Sequence, residues 1–512
     1  MTVASPARRP QVTASELIEL LGGDSAVALT DWADGTGLTI RVPVPAWRAE
    51  AHTGALVTVV LAVHPRTGTR PVVVKRLAPS PKVDLHAQVT AYEECPEAFR
   101  PHLTRQVRSP LRTSGGRTLL LQSPGSASAD LRPMALLSPT ATAAACATVV
   151  RAMLADWNAD WTVRPVAALD FLRMMVPDGA AAGRTLSNRR QRPTSPWVCA
   201  DGLSMPDPLL LTQDGSPLSG LTLDIVEGRG LGGLHAQDVL LSTATGGAEP
   251  DPFLLVDLTG YQARQPIDRD LVRLLLSVLT PVIARSGDDH GRLLLDLVTD
   301  PDRAPRQDGL AAESAIVRAV YGTAASVFHR QPDPEAWHRQ YLLGLVTHGL
   351  TLSTYESLGP VVRWWCYRLA GRATLLLQNS VGGARVPRTA PIVGNPFLPS
   401  GAGRIPGPVR GLLASGRVRG LDLRRDPPQG NRVTYPGQVK VAVCRALCTD
   451  WEDLADYLEV PPHVRAGFPQ GREASETWDW IEARFRLGEL APALRALGRP
   501  ELADLLDDNK RG

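Results

Sequence analysis

Several side chains in the first half of the chain are of the types that phosphoryl transfer uses. Lys75 ends the apolar run VVVK, where a lysine carried by a strand can hold phosphate oxygens. Glu93 or Glu94, in a stretch of helical spacing, could fix that lysine by pairing with it. Asp238 lies in HAQDVLL, and Asp257 ends the run FLLV. Two carboxylates brought together suit a magnesium ion, which prefers oxygen ligands and keeps places for phosphate and water. Phosphoryl transfer needs this set of parts plus a base near the acceptor. Every part except the base has a candidate.

Each residue also has a plainer reading. Lys75 could be a solvated charge at a strand end, His235 a hydrogen-bonded brace for its loop, and Asp238 a cap on backbone N–H groups. Asp257 is the strongest of the set, because a carboxylate directly after four apolar residues is costly to bury without a partner.

The elements that must position these groups divide the chain. LTIRVPV (Leu38 to Val44), GALVTVVLAV (Gly54 to Val63), RPVVVKRLA (Arg70 to Ala78) and GRTLLLQS (Gly116 to Ser123) predict strands. One helix lies between the third and fourth, from Asp84 to Phe99, with Asp84 as N-cap. A small α+β lobe, about 14–125, follows from this pattern. Ala141 to Trp161, Asp268 to Ala284, Glu313 to Phe328, Pro334 to Leu350 and Gly359 to Gln378 predict an all-helical lobe over about 126–380, with Trp364 and Trp365 as packing residues. The Gly-, Arg-, Ser- and Pro-rich stretch from Pro177 to Pro206 predicts an exposed insertion. Residues 381–436 are dense in Pro and Gly and predict a linker. A compact helical module over 437–508 comes next.

Composition limits the partners. The 512 residues carry 55 Lys+Arg against 52 Asp+Glu, a net +3, with no sustained basic run; nucleic acid is not expected. No segment has the roughly eighteen uninterrupted apolar residues of a membrane span, and the N-terminal residues do not read as a signal peptide. A cytoplasmic location is the expectation. The six cysteines lack paired metal spacing, so no structural metal is expected.

LGGLHAQDVLL (Leu231 to Leu241) resembles the HGDLHxxNVLx segment of aminoglycoside phosphotransferase-like kinases, and FLLVDLTGY (Phe253 to Tyr261) resembles their next metal-binding strand. DRDLVRLL (Asp268 to Leu275) resembles their downstream helix. With YLLGL and VVRWWCYRLAGRA, the region from about Leu17 to Gln378 is similar to kinase-like ternary complex associated domains of bacterial conflict and signalling systems. The resemblance implies a bilobal fold with ATP and Mg2+ as cofactors. It further implies nucleotide binding by Lys75, Glu93, Glu94, Gly54 and His235, and metal ligation by Asp238 and Asp257. The catalytic aspartate of the motif falls on Gly233, so no catalytic residue is assigned. Losing a positioned base costs a factor of about 100 to 10,000 in rate. The chain then resembles an impaired kinase, a pseudokinase, which binds nucleotide without turnover.

In the C-terminal module, Trp451, Leu454, Leu458, Trp478, Leu490 and Leu494 fall at helical spacing as a core. The pattern DWEDLADYL, ETWDWIEARF, LAPALRALGRPELADLL resembles death-like, bacterial effector-associated domains, which implies a protein partner carrying a matching module. The combined expectation is an α+β, kinase-like domain, a linker and an all-α death-like bundle: a signalling adaptor. The alternatives are an active ATP-dependent phosphotransferase, in which Asp238 or another carboxylate supplies the base, and a scaffold that binds no nucleotide.

Overall fold

Alternation along one strand sets which way Lys75 faces. In a strand successive side chains point to opposite sides of the sheet. On β4 (Gly68–Arg76), Val72 and Val74 pack with one buried cluster and Val73 with another, so Lys75 shares the face of Val73. β4 sits mid-sheet, in the antiparallel order β1 (Thr39–Arg41), β3 (Leu56–His64), β4, β7 (Thr118–Ser123), β5 (Arg105–Gln106). Two short strands complete it: β2 (Arg48–Glu50) pairs with β3, and β6 (Leu111–Arg112) with β7.

This is a computed structural model, and it describes residues 14–50, 55–77, 85–107, 109–125, 130–176, 195–200, 202–242, 253–302, 308–329, 333, 335–382, 390–393, 395, 397, 435–447, 451–458, 460, 473–482 and 487–509. The chain divides into two compact units, Met1–Arg404 and Ile405–Gly512.

In the first unit, the sheet face carrying Val72 and Val74 is covered by α1 (Ala14–Leu21) and α2 (Gly23–Gly35) through Leu17, Leu21, Leu29 and Trp32. The sequence pattern favours strands with one interposed helix and gives neither of these. Their apolar residues do fall at helical spacing, but ASELIELL is short and ends at a Gly-Gly break, so it passes for a lead-in. α3 (Leu85–Glu93) is shorter than expected, and Asp84, its expected cap, lies outside the described residues.

The second lobe is helix-rich, as the long periodic runs require. α4 (Pro139–Ala152) is capped by Ser138, whose Oγ accepts from Ala141 N–H at 3.4 Å. Its core gathers Trp157, Leu275, Tyr341 and Trp365, and Trp365 Nε1 donates to the Gly291 carbonyl at 2.8 Å. The expectation of an all-helical lobe is nevertheless corrected. β9 (Thr162–Ala167), β12 (Thr222–Gly230) and β15 (Gln262–Pro266) form one small antiparallel sheet; β8 (Leu131–Pro133), β13 (Val239–Ser242) and β14 (Phe253–Leu255) form another. β8, β13 and β14, of three or four residues, carry too few for a period-two signal, and β12, although nine residues long, alternates in burial only over Thr222–Ile225. α5 (Ala168–Met175) follows β9, and the helices after β15 are α6 (Asp268–Arg285), α7 (Asp288–Thr299), α8 (Ala311–Val317), α9 (Thr323–Phe328), α10 (Ala336–Ser353) and α11 (Gly359–Val381).

The far end of the expected exposed insertion is packed. Strands β10 (Trp197–Ala200) and β11 (Leu203–Pro206) form a hairpin, and Val198, Ala200 and Met205 bury against Trp364, Tyr367 and Phe397. Part of the Pro/Gly-rich stretch joins it: Cys199 N–H donates to Pro391 O at 2.8 Å, and Val393 N–H to Cys199 O at 2.9 Å. Residues 177–194 lie outside the described residues.

The second unit holds helices Gly437–Ala446, Trp451–Tyr457, Glu473–Glu482, Leu490–Ala496 and Pro500–Asp508. Leu454, Leu458, Trp478, Leu490 and Leu494 share one buried cluster with Val443 and Ile481. Trp451, expected in that core, opens its helix, is half-buried and lies outside the buried cluster. Among the described residues no helix is long and apolar enough to cross a membrane.

Candidate functional site

The face of β4 that carries Val73 and Lys75 meets the hairpin β13–β14, whose Leu240, Leu254 and Val256 join Val73 in one buried cluster. Register then places the two aspartates. Val239 pairs with Leu255, and Val256 N–H donates to Asp238 O at 3.0 Å, so Asp238 enters one strand where Asp257 leaves the other.

Lys75 ends between them. Its ammonium donates to Asp238 Oδ1 at 2.7 Å and to Asp257 Oδ2, while the Lys75 side chain is only 2% exposed. Asp238 and Asp257 keep an open edge, with 16% and 27% side-chain exposure. Burial disfavours the lysine's charge, but the two carboxylates outweigh it and hold its pKa above the ordinary value. Burial also raises Asp238, against the pull of Lys75. At Asp257 the balance falls the other way: Lys75 and the Thr259 hydrogen bonds overcome burial and hold the carboxyl below its usual range. Thr259 donates to Asp257 Oδ1 from its backbone N–H, at 3.0 Å, and from Oγ1, at 2.6 Å.

The structure therefore brings Lys75, Asp238 and Asp257 together. It does not bring Glu93 or Glu94 to the lysine. Both are exposed at the end of α3, and Glu94 accepts from Tyr261 Oη at 2.7 Å. The turn of α3 that faces inward carries Gln88 instead, 2% exposed, whose Oε1 accepts from Leu258 N–H at 3.0 Å. A carboxylate pairs with lysine only where the helix presents it, and the two glutamates fall on the outer face. His235 braces its loop: Nδ1 accepts from Gln237 N–H at 3.3 Å, and the His235 carbonyl from Asp238 N–H at 2.8 Å. Gly54 lies outside the described residues.

Gly233 has φ +124 and Gly232 φ +81, a backbone that L side chains rarely adopt. At Gly232 the chain also passes close to the Gly260 carbonyl, where a Cβ would sit 2.4 Å from the oxygen. The loop is pinned from below by Asp270 on α6, which sequence reasoning does not assign. Its carboxylate accepts from the backbone N–H of Leu231 at 2.7 Å, Gly233 at 2.7 Å and Leu234 at 3.1 Å, and from Gln265 Nε2 at 3.1 Å. The signal that could have found it is an aspartate within an apolar helix, the costly placement that singles out Asp257.

Two carboxylates match the oxygen preference of a magnesium ion. Asp257 has both oxygens engaged, one by Lys75 and one by Thr259, and Asp238 has Oδ1 engaged by Lys75. The donor chemistry fits, with Asp238 Oδ2 as the uncommitted oxygen and Lys75 as a cation already seated between the ligands. Among the described residues no group of three or more His, Cys, Asp or Glu side chains is arranged to hold a metal.

Residues 437–509 match the family Bacterial Death-like domain 3 and form a death-like domain. No curated protein matches the chain. A crystal structure of a candidate aminoglycoside phosphotransferase from Ralstonia eutropha JMP134 is similar at 11% identity, over 69% of this chain and 95% of that one, with a TM-score of 0.30. A score that low assigns nothing by itself.

Proposed function

We propose that the chain is a bacterial signalling adaptor in which a kinase-like unit binds nucleotide without transferring phosphate, and the death-like domain recruits a protein partner carrying a matching module. Death-like domains generally mediate protein–protein association, which supports the second half. One observation carries the first: Lys75 is buried between Asp238 and Asp257 where β4 meets the ends of β13 and β14, beside a loop whose residue 233 is glycine.

A lysine between two aspartates is the charge set that phosphate and magnesium call for, with the lysine as the resident counter-ion. On nucleotide binding, Lys75 turns from the carboxylates to phosphate oxygens, and Asp238 and Asp257 become free to take the metal. That exchange is a two-state element which a ligand can bias. Magnesium, when bound, would neutralise phosphate charge. Turnover has no proton acceptor at Gly233, and Asp238, held by Lys75 before nucleotide binds, would then be taken up by the metal.

The test is a thermal shift of the full chain with ATP and Mg2+, together with transfer of labelled γ-phosphate to the protein or to water. A shift lost in Asp257→Ala, with no transfer above background, is expected. Absence of any shift in the native chain refutes nucleotide binding, and label transfer refutes impairment.

A further inference from the structure

Arg273 rises from α6 beside Gly233. A Cβ built on that glycine would find Arg273 Cγ at 3.7 Å and nothing else within 4 Å. The guanidinium is partly buried, yet among the described residues it makes no hydrogen bond and no ion pair. Its electrostatic neighbours are Tyr355, Cys366 and Asp238. Asp238 attracts it without bonding to it. Withdrawal from water depresses the Arg273 pKa. Burial and then the Arg273 charge also depress that of His348, to about 3, so the imidazole stays neutral and donates from Nε2 to the Arg269 carbonyl at 2.9 Å.

This corner therefore holds a cation, a glycine that leaves space above it, and no anion of its own bonded to it. A partly buried charge without a hydrogen-bonded partner is costly to keep. A guanidinium offers a planar fork of donors that matches a phosphate bidentately. A carboxylate at position 233 would neutralise the fork and repel phosphate; glycine does neither.

We infer that Arg273 receives the terminal phosphate of a nucleoside triphosphate, so that the unit distinguishes tri- from diphosphate. The inference rests on the nucleotide-binding reading of the same site. Lys75, Asp238 and Asp257 would engage the parts that both nucleotides share, and Arg273 the part that only the triphosphate has. Replacing an expected base by glycine then changes what the site does, so that the position serves to sense the phosphate rather than to move it.

Titration calorimetry of the full chain with ATP and ADP, each with Mg2+, tests this in the native protein, in Arg273→Gln and in Arg273→Lys. The native chain is expected to prefer ATP by roughly tenfold to a hundredfold, the range of a charge-assisted pair. Arg273→Gln removes the preference and leaves ADP affinity within about twofold; Arg273→Lys restores part of it. Gly233→Asp, which sets a carboxylate against the guanidinium without deleting it, abolishes the preference as well. Equal affinities in the native chain, or a preference that survives Arg273→Gln, overturns the inference and leaves nucleotide binding standing. A native chain that binds neither nucleotide overturns that reading and the inference with it. If Arg273→Gln does not fold, Arg273→Lys decides: a retained ATP preference, full or reduced, supports receipt of the phosphate by a positive charge at this position, and a total loss overturns it.

Discussion

Replacing Lys75 by methionine should expose how strongly the central charges depend on one another. Methionine nearly fills the space of the lysine stem, so the cavity left behind is small and electrostatics dominates. Removing the ammonium leaves Asp238 and Asp257 facing each other in a site where each had taken one of its hydrogen bonds. Breaking a buried pair by deleting one partner costs about 3–5 kcal/mol. Because the two carboxylates keep 16% and 27% exposure, water screens part of this, and about 2–3 kcal/mol is the expected loss at pH 7. The loss should shrink toward pH 5, since without the lysine one carboxyl takes up a proton and the repulsion ends. In the native chain the signs run otherwise. The depressed pKa of Asp257 adds stability that is present above its unfolded value and is lost as pH falls through the folded one. The raised pKa of Lys75 adds stability that is lost as pH rises through its folded value, above 10.5. Urea unfolding of the full chain, with amide exchange on β4 and β13 to identify the unit that opens, measures the effect. A loss below about 0.5 kcal/mol at pH 7, or one equal at pH 5 and 7, would refute the reasoning.

Burial pushes the Asp268 carboxyl up to about 7; Oδ1 accepts from Gln340 Nε2 at 2.5 Å, while Oδ2 has no hydrogen-bond partner. The folded chain thus holds a proton that the unfolded chain releases near pH 4, and this site's contribution to stability falls as pH rises from about 4 to about 7. Asp268→Asn should flatten that slope and leave the protein about 2–4 kcal/mol more stable than native above pH 7, read from unfolding curves across pH. Asp270→Asn should cost about 1–3 kcal/mol, because its amide NH2 would face either the Leu231 donor, in place of Oδ2, or the Gly233 and Leu234 donors, in place of Oδ1, and the loop would be held less firmly. Exchange protection at those three amides should drop selectively; unchanged protection would show that Asp270 does not hold the loop. In the death-like domain, Leu490 is fully buried, so Leu490→Ala should cost about 2–5 kcal/mol. The domain's own unfolding transition should move while amide exchange on β4 stays put.

What is legible in the sequence follows from which groups are costly to place. Lys75, Asp238 and Asp257 stand out as charges set against apolar runs, and the structure seats them within hydrogen-bonding distance. Their mutual arrangement is not legible. Sequence pattern alone makes Asp238 and Asp257 ligands awaiting a metal, whereas the register of β13 and β14 closes both onto the ammonium. Glu93 and Glu94 fail as partners because phase on a helix depends on where the helix docks, and α3 docks through Gln88. Of the small sheets in the second lobe, only β14 reads as a strand, in FLLV; the rest go unread because they are held by long-range pairing, such as β12 with β9, and leave little local period. Trp451 shows a related limit, since spacing gives the shared face of a helix but not how deeply each position on it is buried.

The glycine at 233 joins these threads. A side chain is absent there for two separable reasons, backbone and chemistry. The loop needs φ +124 so that its N–H groups can converge on Asp270, and that geometry alone disfavours an L side chain. An aspartate could still be tolerated if function repaid the strain, as strained residues at working sites are. What stands beside the glycine in this chain is Arg273, and a carboxylate placed above it would pair with the guanidinium instead of accepting a proton from an acceptor. Gly233 and Arg273 therefore have to be altered together. Placing aspartate at 233 alone should give no transfer, because the arginine would hold it ionised and turned away from any acceptor. Only a variant that also removes Arg273 leaves a carboxylate free to act as a base, and label transfer by Gly233→Asp with Arg273 intact would break that link.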